Sequence, residues 1–130
     1  MKKLTLFLTL ATMLLPVPSF AEWTKVGVAD SGNTIYVDFK KIKKADGYLH
    51  WWELWDLLKP NEWGTLSIKV FNHGDCEALR AKVVTYFYHN KSMGKGDVYI
   101  DNGPNDWRFP PSNSTTEDVL KVVCKYAEKM

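Results

Sequence analysis

Apolar and polar positions alternate with a period of two over most of this chain, and the period changes only near its end. Residues 34–39 place Ile35, Val37 and Phe39 on one side, as a half-buried strand does. Residues 23–29 predict a strand before it, with Ser31-Gly32-Asn33 as the turn between the two. Residues 48–58 predict a long third strand with aromatic side chains on both faces. Trp51 and Trp55 fall with Leu49 and Leu57, and Trp52 falls opposite with Tyr48 and Leu54. Residues 64–72 and 77–89 predict a fourth and a fifth strand, joined through His73-Gly74-Asp75. Residues 97–101 predict a short sixth, and 102–113 an irregular, proline-bearing loop. Ser114 and Glu117 then form a capping box, after which Leu120, Val123, Cys124 and Ala127 recur at helical spacing. Strands in succession followed by one helix define an α+β domain: an antiparallel sheet of about six strands with a C-terminal helix packed on one face.

The same alternation assigns faces. Leu66, Ile68 and Val70 match Leu79, Ala81, Val83 and Phe87 toward the helix. Ser67, Lys69, Arg80, Lys82, Tyr86 and Tyr88 form the outward set, whose Tyr and Arg content suits an interface. Counted this way, Cys76 falls with the outward set, whereas Cys124 lies on the buried stripe of the helix. A bulge or a longer loop near Gly74-Asp75, or else a hairpin register displaced by one, would reconcile them.

The first 21 residues follow neither pattern. Lys2 and Lys3 precede a short apolar run, Pro16 and Pro18 end it, and Ser19-Phe20-Ala21 supplies small residues at a cleavage site. This is a secretion signal over residues 1–21, too short to be a spanning helix, and it leaves residues 22–130 as one exported domain. Export changes the reading of the two cysteines. Cys76 and Cys124 most simply form one disulfide, worth roughly 4 kcal/mol by loop-closure entropy. The rivals, a redox pair or a nucleophilic thiol, lack a C-x-x-C or a histidine beside Cys124.

Loss of Lys2 and Lys3 from 17 basic residues balances the 15 acidic ones, which argues against a general nucleic-acid binder. The densest charge is Lys40, Lys41, Lys43 and Lys44, read as a solvated connection or, alternatively, a docking patch for a polyanion such as a sulfated glycan. His50, His73 and His89 show no metal-ligand spacing. Residues 101–106 lack the calcium-loop pattern and predict a polar turn. Glu53 and Asp56 point to opposite faces of a strand and make no acid–base couple. No nucleophile elbow, phosphate loop or dinucleotide fingerprint occurs, so no catalytic residue, metal or cofactor is expected.

One ordered set of residues resembles a known family. Tyr36-Val37-Asp38, Trp52-Glu53-Leu54, Ser67-Ile68-Lys69, Asp75-Cys76 and Arg80-Ala81-Lys82 follow one another in turn. Met93-Gly94-Lys95-Gly96, Trp107, Pro111-Ser112 and the run from Glu117 to Cys124 complete it. Together they resemble the surface-adhesin E family of bacterial envelope proteins, over nearly all of residues 22–130. The resemblance implies an antiparallel sheet with helical cover, a Cys76–Cys124 disulfide, often a homodimer, and a non-enzymatic role binding host extracellular-matrix proteins. The founding adhesin is a lipoprotein, whereas the signal here has no cysteine at its cleavage point. The expectation is a protein without a lipid anchor, periplasmic, secreted or at the cell surface.

These readings converge on an exported, non-enzymatic binding protein that engages a protein or a glycan through the outward sheet face and the lysine-rich connection. The alternatives are a periplasmic inhibitor or envelope-assembly factor working through an exposed edge strand, or a small secreted hydrolase.

Overall fold

The computed structural model describes residues 21–130; the secretion signal expected over residues 1–21 lies, but for Ala21, outside the described residues. The chain forms β1 (Thr24–Val28), β2 (Thr34–Val37), β3 (Lys43–Ala45), β4 (Tyr48–Asp56), β5 (Ser67–Asp75), β6 (Arg80–His89), β7 (Val98–Asn102) and α1 (Thr115–Ala127). All strands join one antiparallel sheet in the order β1-β2-β4-β5-β6-β7, and β3 pairs with the start of β4. This is the α+β architecture the hydrophobic pattern predicts, with one strand more. The extra strand, β3, lies inside the expected basic connection, where Lys43 and Lys44 pair opposite His50 and Leu49.

Local chemistry fixes α1. The Ser114 hydroxyl accepts from the Glu117 amide at 3.1 Å, and the Glu117 carboxylate accepts from the Asn113 amide. Glu117 and Asp118 stand at the positive end of the helix dipole and Lys125 at the negative end. The buried stripe Val119, Leu120, Val123 and Ala127 packs on Ile35, Val37, Leu49 and Trp51. Gly74 permits the closest contact. A Cβ there would come within 2.5 Å of the Trp51 ring and 3.3 Å of Leu120. The Cys76–Cys124 disulfide, with Cα atoms 5.7 Å apart, ties the helix to the sheet across 48 residues.

Two registers differ from expectation. β5 continues to Asp75, so the hairpin turn lies at residues 76–79. Cys76 thereby keeps the phase of Ile68, Val70 and Gly74, and reaches the helix without a bulge near Gly74-Asp75. A bulge does exist, but in β6: Asn72 pairs with Val83 and Phe71 with Thr85, which leaves Val84 unpaired. The bulge is gripped from outside the hairpin. Gly103 and Asn105 donate their amides to the carbonyls of Val84 and Val83.

Candidate functional site

Beyond that bulge every side chain of β6 changes face. Directly opposed residues of an antiparallel pair share a face. Tyr86 therefore stands with Val70 and Glu53, and Tyr88 with Ile68 and Trp55, on the side that carries α1. Phe87 moves to the other side beside Lys69. The outward set expected from alternation is thus split: Lys69, Arg80 and Lys82 remain on the back face, away from the helix, and Tyr86 and Tyr88 leave it. Ser67 points to the back face but is fully buried. Its hydroxyl donates to the Lys91 carbonyl at 2.6 Å and accepts from the Gly94 amide at 2.8 Å. It anchors the loop that covers Leu54.

The back face is both basic and aromatic. The Arg80 guanidinium carbon and the Lys82 ammonium lie 4.7 and 4.8 Å from the Trp107 ring centroid, and Tyr48 packs on that ring at 5.0 Å. Asp75 accepts from Arg80 Nε at 3.0 Å, and this hydrogen bond holds the aspartate below its usual carboxylate range. Next to them the His50 and His73 rings stack 3.8 Å apart and nearly parallel, with Phe71 edge-on to both. Burial pushes His73 down, helped by the charges of His50 and Lys82. Trp52 bridges Phe71 and Phe87, and Lys69 Nζ stands 5.9 Å above the Phe87 ring. Lys69 is also pushed down, first by burial and then by the charge of Lys41.

The four clustered lysines are not one patch. Lys43, opposite His50, belongs to the back face, and Lys41 is close enough to act on Lys69. Lys44 alternates to the helix side, beside Leu49. Lys40 is paired with Glu22 at 2.9 Å.

On the helix side one carboxyl is buried. Glu53 accepts from Trp51 Nε1 at 2.9 Å, Trp55 Nε1 at 3.0 Å and Asn72 Nδ2 at 2.8 Å. All three donors are neutral. Burial pushes the carboxyl up from its ordinary value, and the two indole bonds oppose that rise. A cleft of about 190 Å³ opens beside it under the start of α1, between Ile35, Trp55, Thr115 and Val119. With no base or nucleophile among its hydrogen-bond partners, Glu53 orients two tryptophans. The signal is present as Trp51-x-Glu53-x-Trp55, three side chains on one strand face, although the alternation groups the tryptophans only with Leu49 and Leu57. The His50–His73 stack and the packing of Trp107 on Arg80, Lys82 and Tyr48 are not legible in the sequence. Each depends on a cross-strand register or a loop path that composition does not reveal. Among the described residues no three His, Cys, Asp or Glu side chains are grouped to hold a metal ion, and no helix is long and apolar enough to cross a membrane.

The fold and its two side-chain surfaces define a class: a single antiparallel sheet with one helix disulfide-bonded to it and an aromatic, basic open face. The chain belongs to the surface-adhesin protein E family, whose model matches residues 23–125. Solved structures of Haemophilus influenzae protein E share the fold. One is 12% identical with a TM-score of 0.65, covering 88% of this chain and 92% of that one. A second crystal form is 14% identical with a TM-score of 0.64, covering 87% and 97%. The protein from a non-typeable strain is 13% identical with a TM-score of 0.56, covering 87% and 82%. No curated protein matches the chain by sequence.

Proposed function

We propose that residues 22–130 act outside the cytoplasm as a non-enzymatic, adhesin-type binding protein whose back face docks on an acidic segment of a host extracellular-matrix protein. The observation that carries this reading is the contact of Arg80 and Lys82 with Trp107, continued by the His50–His73 stack and Lys69. Arginine and aromatic side chains held together at a surface are the usual anchors of protein interfaces. Family membership and the expected secretion signal support the adhesin role and the compartment. The absence of a cysteine at the expected cleavage point supports a form without lipid. Lys41, Lys43 and Lys69 add charge around the aromatic centre and steer an acidic partner.

Binding of the purified domain to immobilised extracellular-matrix proteins tests the reading. The double variant Arg80→Ala/Lys82→Ala should bind about tenfold more weakly or worse, and its binding should depend less on salt than the parent's. Circular dichroism should report an unchanged fold. Equal affinity in variant and parent, with both folded, would remove the back face from the interface.

A further inference from the structure

A second surface lies on the opposite side, past the reach of α1. There the β4–β5 turn and the β6–β7 turn enclose a groove of about 680 Å³, within the roughly 300–1,000 Å³ of ordinary ligand sites. Its walls are aromatic. Trp63 is 80% exposed and Tyr99 is 68% exposed, and Tyr99 packs on Tyr88 with ring centroids 6.2 Å apart. Large rings left this open contribute little to the core, yet each offers a flat apolar face with a polar edge.

Two amide side chains of the groove are fixed before any ligand arrives. Asn61 Oδ1 accepts from the Trp63 and Thr65 amides at 3.0 and 2.9 Å, so the side-chain NH2 takes no part in holding the turn. Asn90 Oδ1 accepts from the Asp97 amide at 2.8 Å, and its NH2 is likewise not used there. Asp97 and Asp101 add carboxylate acceptors to the lining. No lysine or arginine lines the groove, and burial pushes the bordering His89 toward its neutral form. The set is therefore aromatic faces, amide donors and carboxylate acceptors, without a cation.

We propose that this groove binds an uncharged saccharide. Pyranose rings present an apolar face of C–H groups that suits Trp63 and Tyr99, and neighbouring hydroxyls that both donate and accept. Asn61 and Asn90 would donate to those hydroxyls, and Asp97 and Asp101 would accept from them. Side chains already held by the turns lose little freedom on binding. The two carboxylates disfavour sulfated or sialylated glycans, and the same carboxylates distinguish this groove from the basic back face. The inference is independent of the matrix-protein reading, since the two use different residues.

The test is a glycan array carrying neutral, sialylated and sulfated oligosaccharides, followed by calorimetric titration of the best neutral oligosaccharide. Binding should be confined to neutral members. Trp63→Ala and Tyr99→Ala should each weaken it at least tenfold with melting temperature and matrix-protein binding unchanged. Arg80→Ala/Lys82→Ala should keep the sugar affinity of the parent. Selection of sulfated or sialylated members, absence of neutral binding, or affinity insensitive to both groove variants would each overturn the proposal.

Discussion

On the half of the sheet beneath α1, Trp51 and Trp55 donate to one buried carboxylate, and Trp51 is 2% exposed. On the half beyond α1, Tyr88, Tyr99 and Trp63 have no such anchor, and two of the three are mostly exposed. Both halves are aromatic and occupy one face, and Trp55, Ile68, Tyr88 and Tyr99 even share one row of the register. Residue type therefore does not separate stability from recognition here. What separates them is whether a helix and a hydrogen-bond partner close over the ring. A ring that is closed over contributes burial. A ring left open keeps its area for a ligand.

The largest test of that contrast is a pair of truncations. Trp51→Ala removes a ring packed on α1 and leaves Glu53 short of a donor, and it should cost about 3–5 kcal/mol. Tyr99→Ala removes a ring of similar character from the exposed strand β7 and should stay within about 0.5 kcal/mol. Urea unfolding with the Cys76–Cys124 bond intact measures both. A loss for Tyr99→Ala approaching that of Trp51→Ala would make the open half a second core and end the comparison.

The halves also differ in how much of them the sequence disclosed. The covered half was legible. The Ser114–Glu117 cap, the Leu120–Val123–Ala127 stripe and the alternation of β2 and β4 are local patterns, and local patterns survive without knowledge of the tertiary structure. The open half was not. Val83, Val84 and Thr85 are ordinary strand residues, and nothing in their composition marks a bulge. The bulge is held by amides of Gly103 and Asn105, about twenty residues away, after the loop has folded back. One unpaired residue then moved Tyr86 and Tyr88 from the basic face to the face of the groove. The turn of the β5–β6 hairpin was misplaced for a related reason. His73-Gly74-Asp75 has turn composition, but Gly74 is there to admit the Trp51 ring.

A smaller effect sharpens the account of the covered half. Glu53 has a raised folded-state value, above the ordinary 4.5. Below pH 4.5 the carboxyl is protonated in both states. Above it the unfolded chain gives up the proton first, so this residue's contribution to stability falls as pH rises through the folded value. Glu53→Gln cannot titrate, and its NH2 leaves one of the three donors unmatched, a cost of about 1–3 kcal/mol at low pH. The stability gap between parent and variant should therefore narrow as pH rises from 4.5 toward neutrality. A gap independent of pH would mean that the carboxyl titrates normally, and that the indole bonds fully offset the rise that burial imposes.

The smallest effect belongs to the back face, where rings are stacked but only partly covered. His73 is pushed below 6.5 by burial, then by His50 and Lys82. Above pH 6.5 the ring is neutral in both states and contributes no pH dependence. As pH falls below 6.5 the unfolded chain takes up the proton first, and stability drops until the folded value is passed. Partial solvation keeps this drop small. His73→Phe keeps a flat ring against His50 and Phe71 and removes the titration, so its unfolding free energy should lose less than the parent's between pH 7 and pH 5. His50→Phe should reduce the drop as well, because it takes away the second source of the depression. If neither variant changes the slope, the drop does not arise at His73, and the stack carries no pH sensitivity.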